Sequence, residues 1–148
     1  MNYIYKDASG AMRFDRYFEY LSKIKDQLGE HVFSFAADPG RYYLDTPGTL
    51  HDAWLSDLNI GSALLAKPLA TNIEIKLLGA FHDREFLLQY QNVLKFDINW
   101  VATVSPVDLL THEFRCIDSV IEHEYQFDHE MKLQISCTSM QWFEIFRK

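Results

Sequence analysis

Three His-Glu pairs fall within one short stretch, THEFRCIDSVIEHEYQFDHE: His112-Glu113, His123-Glu124 and His129-Glu130. Histidine beside a carboxylate suits zinc ligation or proton transfer. The HExxH zinc helix is absent, because Cys116 stands three residues after Glu113 and Phe127 three after Glu124. The soft ligand set that remains is His112, His123 and Cys116, with Cys137 further along. Two more acid-base pairs, His51-Asp52 and His82-Asp83, stand beside turn residues. A catalytic dyad needs a nucleophile, and no GxSxG signature accompanies either pair. No glycine-rich phosphate cradle is present, since DPGRYY and DTPGT are turn sequences. No cofactor is expected.

The elements that hold these residues decide between readings. A two-residue turn at Asp118-Ser119 pairs Ile117 with Val120, Arg115 with Glu122, Glu113 with Glu124 and His112 with Tyr125. Side chains alternate along a strand, so a neighbouring His and Glu point to opposite sides. One face then carries His112, Phe114, Cys116, Ile121, His123 and Tyr125. The other carries Glu113, Arg115, Glu122 and Glu124. A three-residue loop at Asp128–Glu130 adds Met131, Leu133, Ile135 and Cys137 to the first face. A one-residue slip would mix the two sets, so the pattern selects the register. The histidines are expected to pack as core residues, with Cys116 and Cys137 as small hydrophobes.

The glutamate face carries a different expectation. Between Asp108 and Glu130 there are seven acids and one base, Arg115, which accounts for all but one unit of the net charge of −7. Glu113 opposite Glu124 is a like-charge pair that lowers stability unless something offsets it. This motivates a partner-binding surface of Glu113, Glu122, Glu124 and Arg115 facing a basic protein. The same charge argues against nucleic acid and against anionic membranes. No apolar run reaches the ~20 residues needed to span a bilayer. The opening MNYIYKDASG lacks a signal-peptide pattern, and two cysteines suit a reducing compartment, so a cytoplasmic protein is expected.

The rest of the chain reads as one domain. In RFDRYFEYLSKIKDQLG the apolar residues Phe14, Tyr17, Phe18, Leu21, Ile24 and Leu28 fall on one helical stripe, which predicts an amphipathic helix over about 12–28. Ser9 could cap its start and Gly29 its end. HVFSFAAD and RYYL read as short strands, and LHDAWLSDLNI as a longer one. GSALLAKPLATN is a connection. An antiparallel meander is predicted over about 73–147. Within it a turn at Asp83-Arg84 pairs Phe81 with Phe86 and Leu77 with Tyr90, and a bulge falls near Asn92. The fold class is therefore α+β: an N-terminal amphipathic helix packed on a mostly antiparallel curved sheet or half-barrel of about seven to eight strands.

The segments LHDAWLSDLNI, IEIKLLGAFHDREFLLQYQNV and DLLTHEFRCIDSVIEHEYQFDHEMKLQISC resemble a widespread type of small bacterial protein with an LHDxW strand and two paired His-Glu hairpin strands. The resemblance spans roughly residues 50–138 and implies a binding role, in its sharpest form an immunity-like inhibitor of a toxin. Two alternatives stand beside it. One is a metal- or small-ligand-binding protein using His112, His123 and Cys116, or His51 and Asp52. The other is a domain that self-associates through a sheet edge such as WFEIFRK.

Overall fold

The computed structural model describes residues 1–63 and 70–148. Of the connection expected over Gly61–Asn72, residues 64–69 fall outside the described residues, and the three residues on either side are strand rather than connection. The chain opens with a two-stranded hairpin, β1 (Tyr5–Lys6) and β2 (Met12–Arg13). Two helices follow, α1 (Asp15–Leu28) and α2 (Glu30–Ala36). Six strands complete it: β3 (Trp54–Ala63), β4 (Ala70–Leu78), β5 (Arg84–Asn99), β6 (Leu109–Ile117), β7 (Val120–Phe127) and β8 (Lys132–Phe146). They form one antiparallel sheet in the order β3-β4-β5-β8-β7-β6. The architecture is α+β, with the helices on an open antiparallel sheet.

Among the described residues the sheet curls toward closure at one end only. Asp52 N–H donates to Leu109 O and Leu109 N–H to Ala53 O, both at 2.9 Å. Trp54 bridges Asp108, and its indole N–H donates to the Asp108 carboxylate at 2.6 Å. Curvature comes from the bulges that shift register between Leu55 and Asp57 and between Val93 and Lys95. The second follows Asn92, whose φ is +51°.

Helix α1 buries Tyr17, Leu21, Ile24 and Leu28, four of the six residues of the predicted stripe, with Phe18 half-buried and Phe14 just before the helix, and it ends before Gly29, whose φ of +77° only glycine adopts freely. Its start is later than expected. Ser9 lies in the β1–β2 turn, bonded to Asp7, and Phe14 precedes the helix without a side-chain cap.

The helix lies along the outer edge of β6. Phe114 N–H donates to the Tyr17 hydroxyl at 2.9 Å, and Cys116 N–H to the Tyr20 hydroxyl at 3.1 Å. Tyr17 and Tyr20, three apart on one helical face, satisfy alternate outward amides that an edge strand would otherwise expose. Tyr17→Phe should therefore cost about 1–3 kcal/mol, because the Phe114 amide is then buried without an acceptor. Tyr20→Phe should cost less, because water reaches this half-buried ring. Urea midpoints of the two variants check this.

Three local readings are corrected. HVFSFAAD is not a strand: residues 30–36 form α2, which buries Val32, Phe35 and Ala36 at helical spacing. Phe35 packs on Trp142 and Phe114. RYYL is not a strand either, since Arg41 ends a short 3-10 turn whose Asp38 side chain accepts from Gly40 N–H. The β4–β5 hairpin pairs Leu77 with Phe86 and Ile73 with Tyr90, so its connection is longer than two residues. Phe81 is left in that connection, exposed. The shift is an even number of residues, so Ile73, Ile75, Leu77, Phe86, Leu88 and Tyr90 still share the buried face.

Candidate functional site

The Asp118-Ser119 hairpin forms with the predicted register. Ile117 pairs with Val120, Arg115 with Glu122, Glu113 with Glu124 and His112 with Tyr125. Asp118 and Ser119 take φ of +50° and +64°, as a type I′ turn requires. The two chemically loaded faces of β6 and β7 are therefore where the sequence put them. Their surroundings are not all as expected.

The glutamate face is covered. Glu113 has no solvent exposure and Glu124 is 8% exposed, because residues 1–4 lie across them. The Glu113 carboxylate accepts three consecutive backbone amides, Asn2 at 2.8 Å, Tyr3 at 2.9 Å and Ile4 at 2.8 Å. Arg115 donates to it at 2.9 Å and, through the same nitrogen, to Glu124 at 2.9 Å. Arg115 Nε donates to Glu122 at 3.2 Å, and the Met1 amino group pairs with Glu124 at 3.1 Å. Burial alone would raise the Glu124 carboxyl, but the Arg115 and Met1 cations hold it below its ordinary value. Burial alone would lower the Arg115 guanidinium, and the three carboxylates raise it instead.

The expected free surface of Glu113, Glu122, Glu124 and Arg115 is thus corrected. Only Glu122 keeps appreciable exposure. The like-charge pair is offset inside the chain, by an arginine between the carboxylates and by the N-terminal backbone. A carboxylate with four donors is an anchor for a peptide segment, with no lone pair left for proton transfer.

The histidine face is a buried polar chain. His112 Nδ1 lies 3.0 Å from His123 Nε2, and His123 Nδ1 lies 2.7 Å from the Tyr90 hydroxyl, which in turn bonds the Tyr125 hydroxyl. Both rings are in the core, stacked on aromatics: His112 on Tyr42 and His123 on Phe114. Burial pushes His112 down to about 3, with the Arg41 charge acting in the same sense. Burial also holds His123 well below its ordinary value, aided by His112 and Arg115. Both imidazoles are neutral. Two neutral rings and two hydroxyls then supply four donors for three hydrogen bonds, so one donor is always left over, and His112 Nε2 has no partner among the described residues.

This chain does not assemble the zinc set. Cys116 sits beside Ile121, which has Cys137 on its other side, and both thiols are free. Among the described residues no three His, Cys, Asp or Glu side chains are grouped as metal ligands. Burial pushes the Cys137 thiol up to about 12 and raises Cys116, so neither is poised as a thiolate.

The turn pairs depart from the strand reading. His51 and Asp52 precede β3, and Asp52 is exposed with φ +64°. That backbone turn breaks the alternation and brings His51 Nδ1 to 2.8 Å from Asp52 Oδ1, without the geometry of a hydrogen bond. His82 lies in the β4–β5 connection against the Trp54 ring, at 4.5 Å between centroids. No helix among the described residues is long and apolar enough to cross a membrane. Comparison with protein-family models, with curated proteins and with solved structures finds no match to this chain.

Proposed function

We propose that this protein is a non-enzymatic protein-binding module, and that its contact surface is the outer face of β4, β5 and β8. The observation that carries this is the apolar patch on that face. Cross-strand rows put Leu87 beside Phe143, and Leu78 and Ile145 on either side of Glu85. Phe143 and Ile145 are 45% and 46% exposed. Exposed aromatic and branched residues in adjacent rows are what a docking face requires, and isolated ones are not.

The partner class is a basic protein. A net charge of −7 favours encounter with a cationic surface, and the short-range anchor is then Phe143 with Ile145. An immunity-like inhibitor, the role implied by the resemblance, is the sharpest form of this reading. Burial of Glu113 and Glu124 moves the contact away from the β6–β7 face, where Glu122 alone can add attraction. The test is affinity purification from the source organism's lysate with wild type and with the Phe143→Lys/Ile145→Lys variant. A stoichiometric partner on wild type, lost from a variant with unchanged circular dichroism, supports the reading. A partner retained by the variant, or no stoichiometric partner at all, removes it.

Self-association is the second reading, and one observation favours it. Pairing of β7 to β8 stops at Ile121 with Cys137, so among the described residues the second half of β8 has a strand neighbour only in β5. Helix α2 lies along that side, where Trp142 N–H donates to His31 Nε2 at 3.3 Å. Light scattering separates the readings: a dimer lost in the same variant assigns the patch to a second copy.

A further inference from the structure

Strand β5 outruns its neighbour β4. Pairing between them ends at Ile73 with Tyr90, and the bulge between Val93 and Lys95 then bends β5 along with β8. Residues 93–99 pair with residues 132–137 of β8 on one side. On the other side, among the described residues, no strand pairs with them and no backbone hydrogen bond reaches them. Two other edges of the sheet are covered by helices, β6 by α1 and the second half of β8 by α2. An uncovered edge is a template for a further strand.

The side chains along this edge are sorted by face. Phe96 and Ile98 stand opposite Ile135 and Leu133, both buried, so they carry the core face of the sheet past the core itself. They are 43% and 37% exposed, and Leu94, in the bulge, is 62% exposed. A cavity of about 250 Å³ adjoins them, lined by Leu55, Leu58, Ile98, Trp100 and Leu133. The apolar surface open to a neighbour is therefore wider than the strand. Lys95 and Asp97 fall on the other face, where their cross-strand neighbours are the uncharged Ser136 and Gln134.

We propose that this edge pairs with the same edge of a second copy, antiparallel about Phe96, so that one sheet runs through a homodimer. Charge complementarity singles out a second copy. In that register each Lys95 stands opposite the Asp97 of the other copy, the two Phe96 rings meet, and Leu94 falls opposite Ile98. A slip of two residues sets Lys95 against Lys95 in one direction and Asp97 against Asp97 in the other, and like charges directly opposite are destabilising. A slip of one sets charged positions against apolar ones. A lone lysine keeps other chains off an edge strand. With Asp97 two positions on, an antiparallel copy turns that repulsion into two ion pairs. The edge of β3, WLSDLNIGSA, has Asp57 as its single charge and no such match. The surface is separate from Phe143 and Ile145, so it stands or falls independently of the partner-binding reading.

The experiment is sedimentation velocity of the full chain over about 1–200 μM. Wild type should pass from monomer to dimer, and Phe143→Lys/Ile145→Lys should do the same. Lys95→Glu and Asp97→Lys each set like charges opposite one another twice per dimer, and each should weaken association about tenfold. Mixed in equal amounts, these two variants should associate like wild type, because each copy supplies the charge that the other lacks. Both residues are exposed, so circular dichroism should not change. Phe96→Lys puts like charges at the axis and should abolish the dimer. A wild type that stays monomeric to about 200 μM overturns the proposal and leaves the edge to a foreign strand. It is equally overturned by a dimer that both charge variants keep at wild-type strength, or by a mixture no stronger than either variant alone. A dimer kept by Phe96→Lys and lost in Phe143→Lys/Ile145→Lys assigns association to the outer face and overturns it too.

Discussion

Glu113→Ala should destabilise the protein by about 3–5 kcal/mol, the largest loss expected from any single change on the β6–β7 hairpin. The carboxylate is fully buried and holds three backbone amides and one guanidinium nitrogen. Alanine leaves the amides of Asn2, Tyr3 and Ile4 without acceptors. It also leaves Arg115 to Glu122 and Glu124 alone. Residues 1–4 should then detach, uncovering Ile4 and the Tyr3 ring that stacks on Tyr20 at 3.8 Å. Glu113→Gln keeps one acceptor oxygen and should lose less, about 1–3 kcal/mol. Glu122→Ala, at the solvated rim of the same network, should stay within about 1 kcal/mol. Urea unfolding orders the three, and amide exchange at residues 2–4 reports the detachment. A Glu113→Ala loss as small as that of Glu122→Ala would mean that the N-terminal segment is not anchored by this carboxylate.

Stability should fall by about 4 kcal/mol between pH 7.5 and pH 5, driven by the two buried histidines. The sign follows from where the protons sit. An unfolded histidine takes up a proton below about 6.5. Folded His112 resists protonation until about 3, and folded His123 stays neutral well below its ordinary value. Below pH 6.5 the unfolded chain therefore binds about two more protons than the native one, and stability drops by about 1.4 kcal/mol per pH unit for each histidine. Stability is fully present above 6.5 and lost on acidification. Glu124 acts in the same direction, because its folded value is depressed, but only as pH falls below its unfolded value near 4.5. The two windows are separable. His112→Leu should halve the slope between pH 6.5 and pH 5 and leave the lower window in place. A pH-independent urea midpoint between 7.5 and 5 would show that the imidazoles are not buried neutral.

Much of the histidine face was legible in the sequence, because a period of two is unforgiving. One apolar set and one charged set in β6, β7 and β8 leave a single register that keeps them apart, and Asp118-Ser119 marks its turn. The chain linking His112, His123, Tyr90 and Tyr125 was half visible. The diagonal neighbours on one hairpin could be read from alternation. Tyr90 comes from β5 and reaches them across β8, which requires the strand order. The same holds for His51 and Asp52, whose contact depends on one positive φ that alternation cannot foresee.

By itself the sequence determined the elements whose pattern is local and strong: the stripe of α1, the stop at Gly29, the bulge near Asn92 and the register of the last three strands. Only the tertiary structure decided what lies on top of them. HVFSFAA is too short and too apolar for its period to choose between strand and helix, and packing on Trp142 and Phe114 made it α2. The charge run around Glu113 looked like a solvated face because charge is usually solvated. Residues 1–4, over a hundred positions away in the chain, turned it into a buried anchor. Such long-range cover leaves no periodic trace, since it consists of backbone amides, which every residue but proline supplies alike.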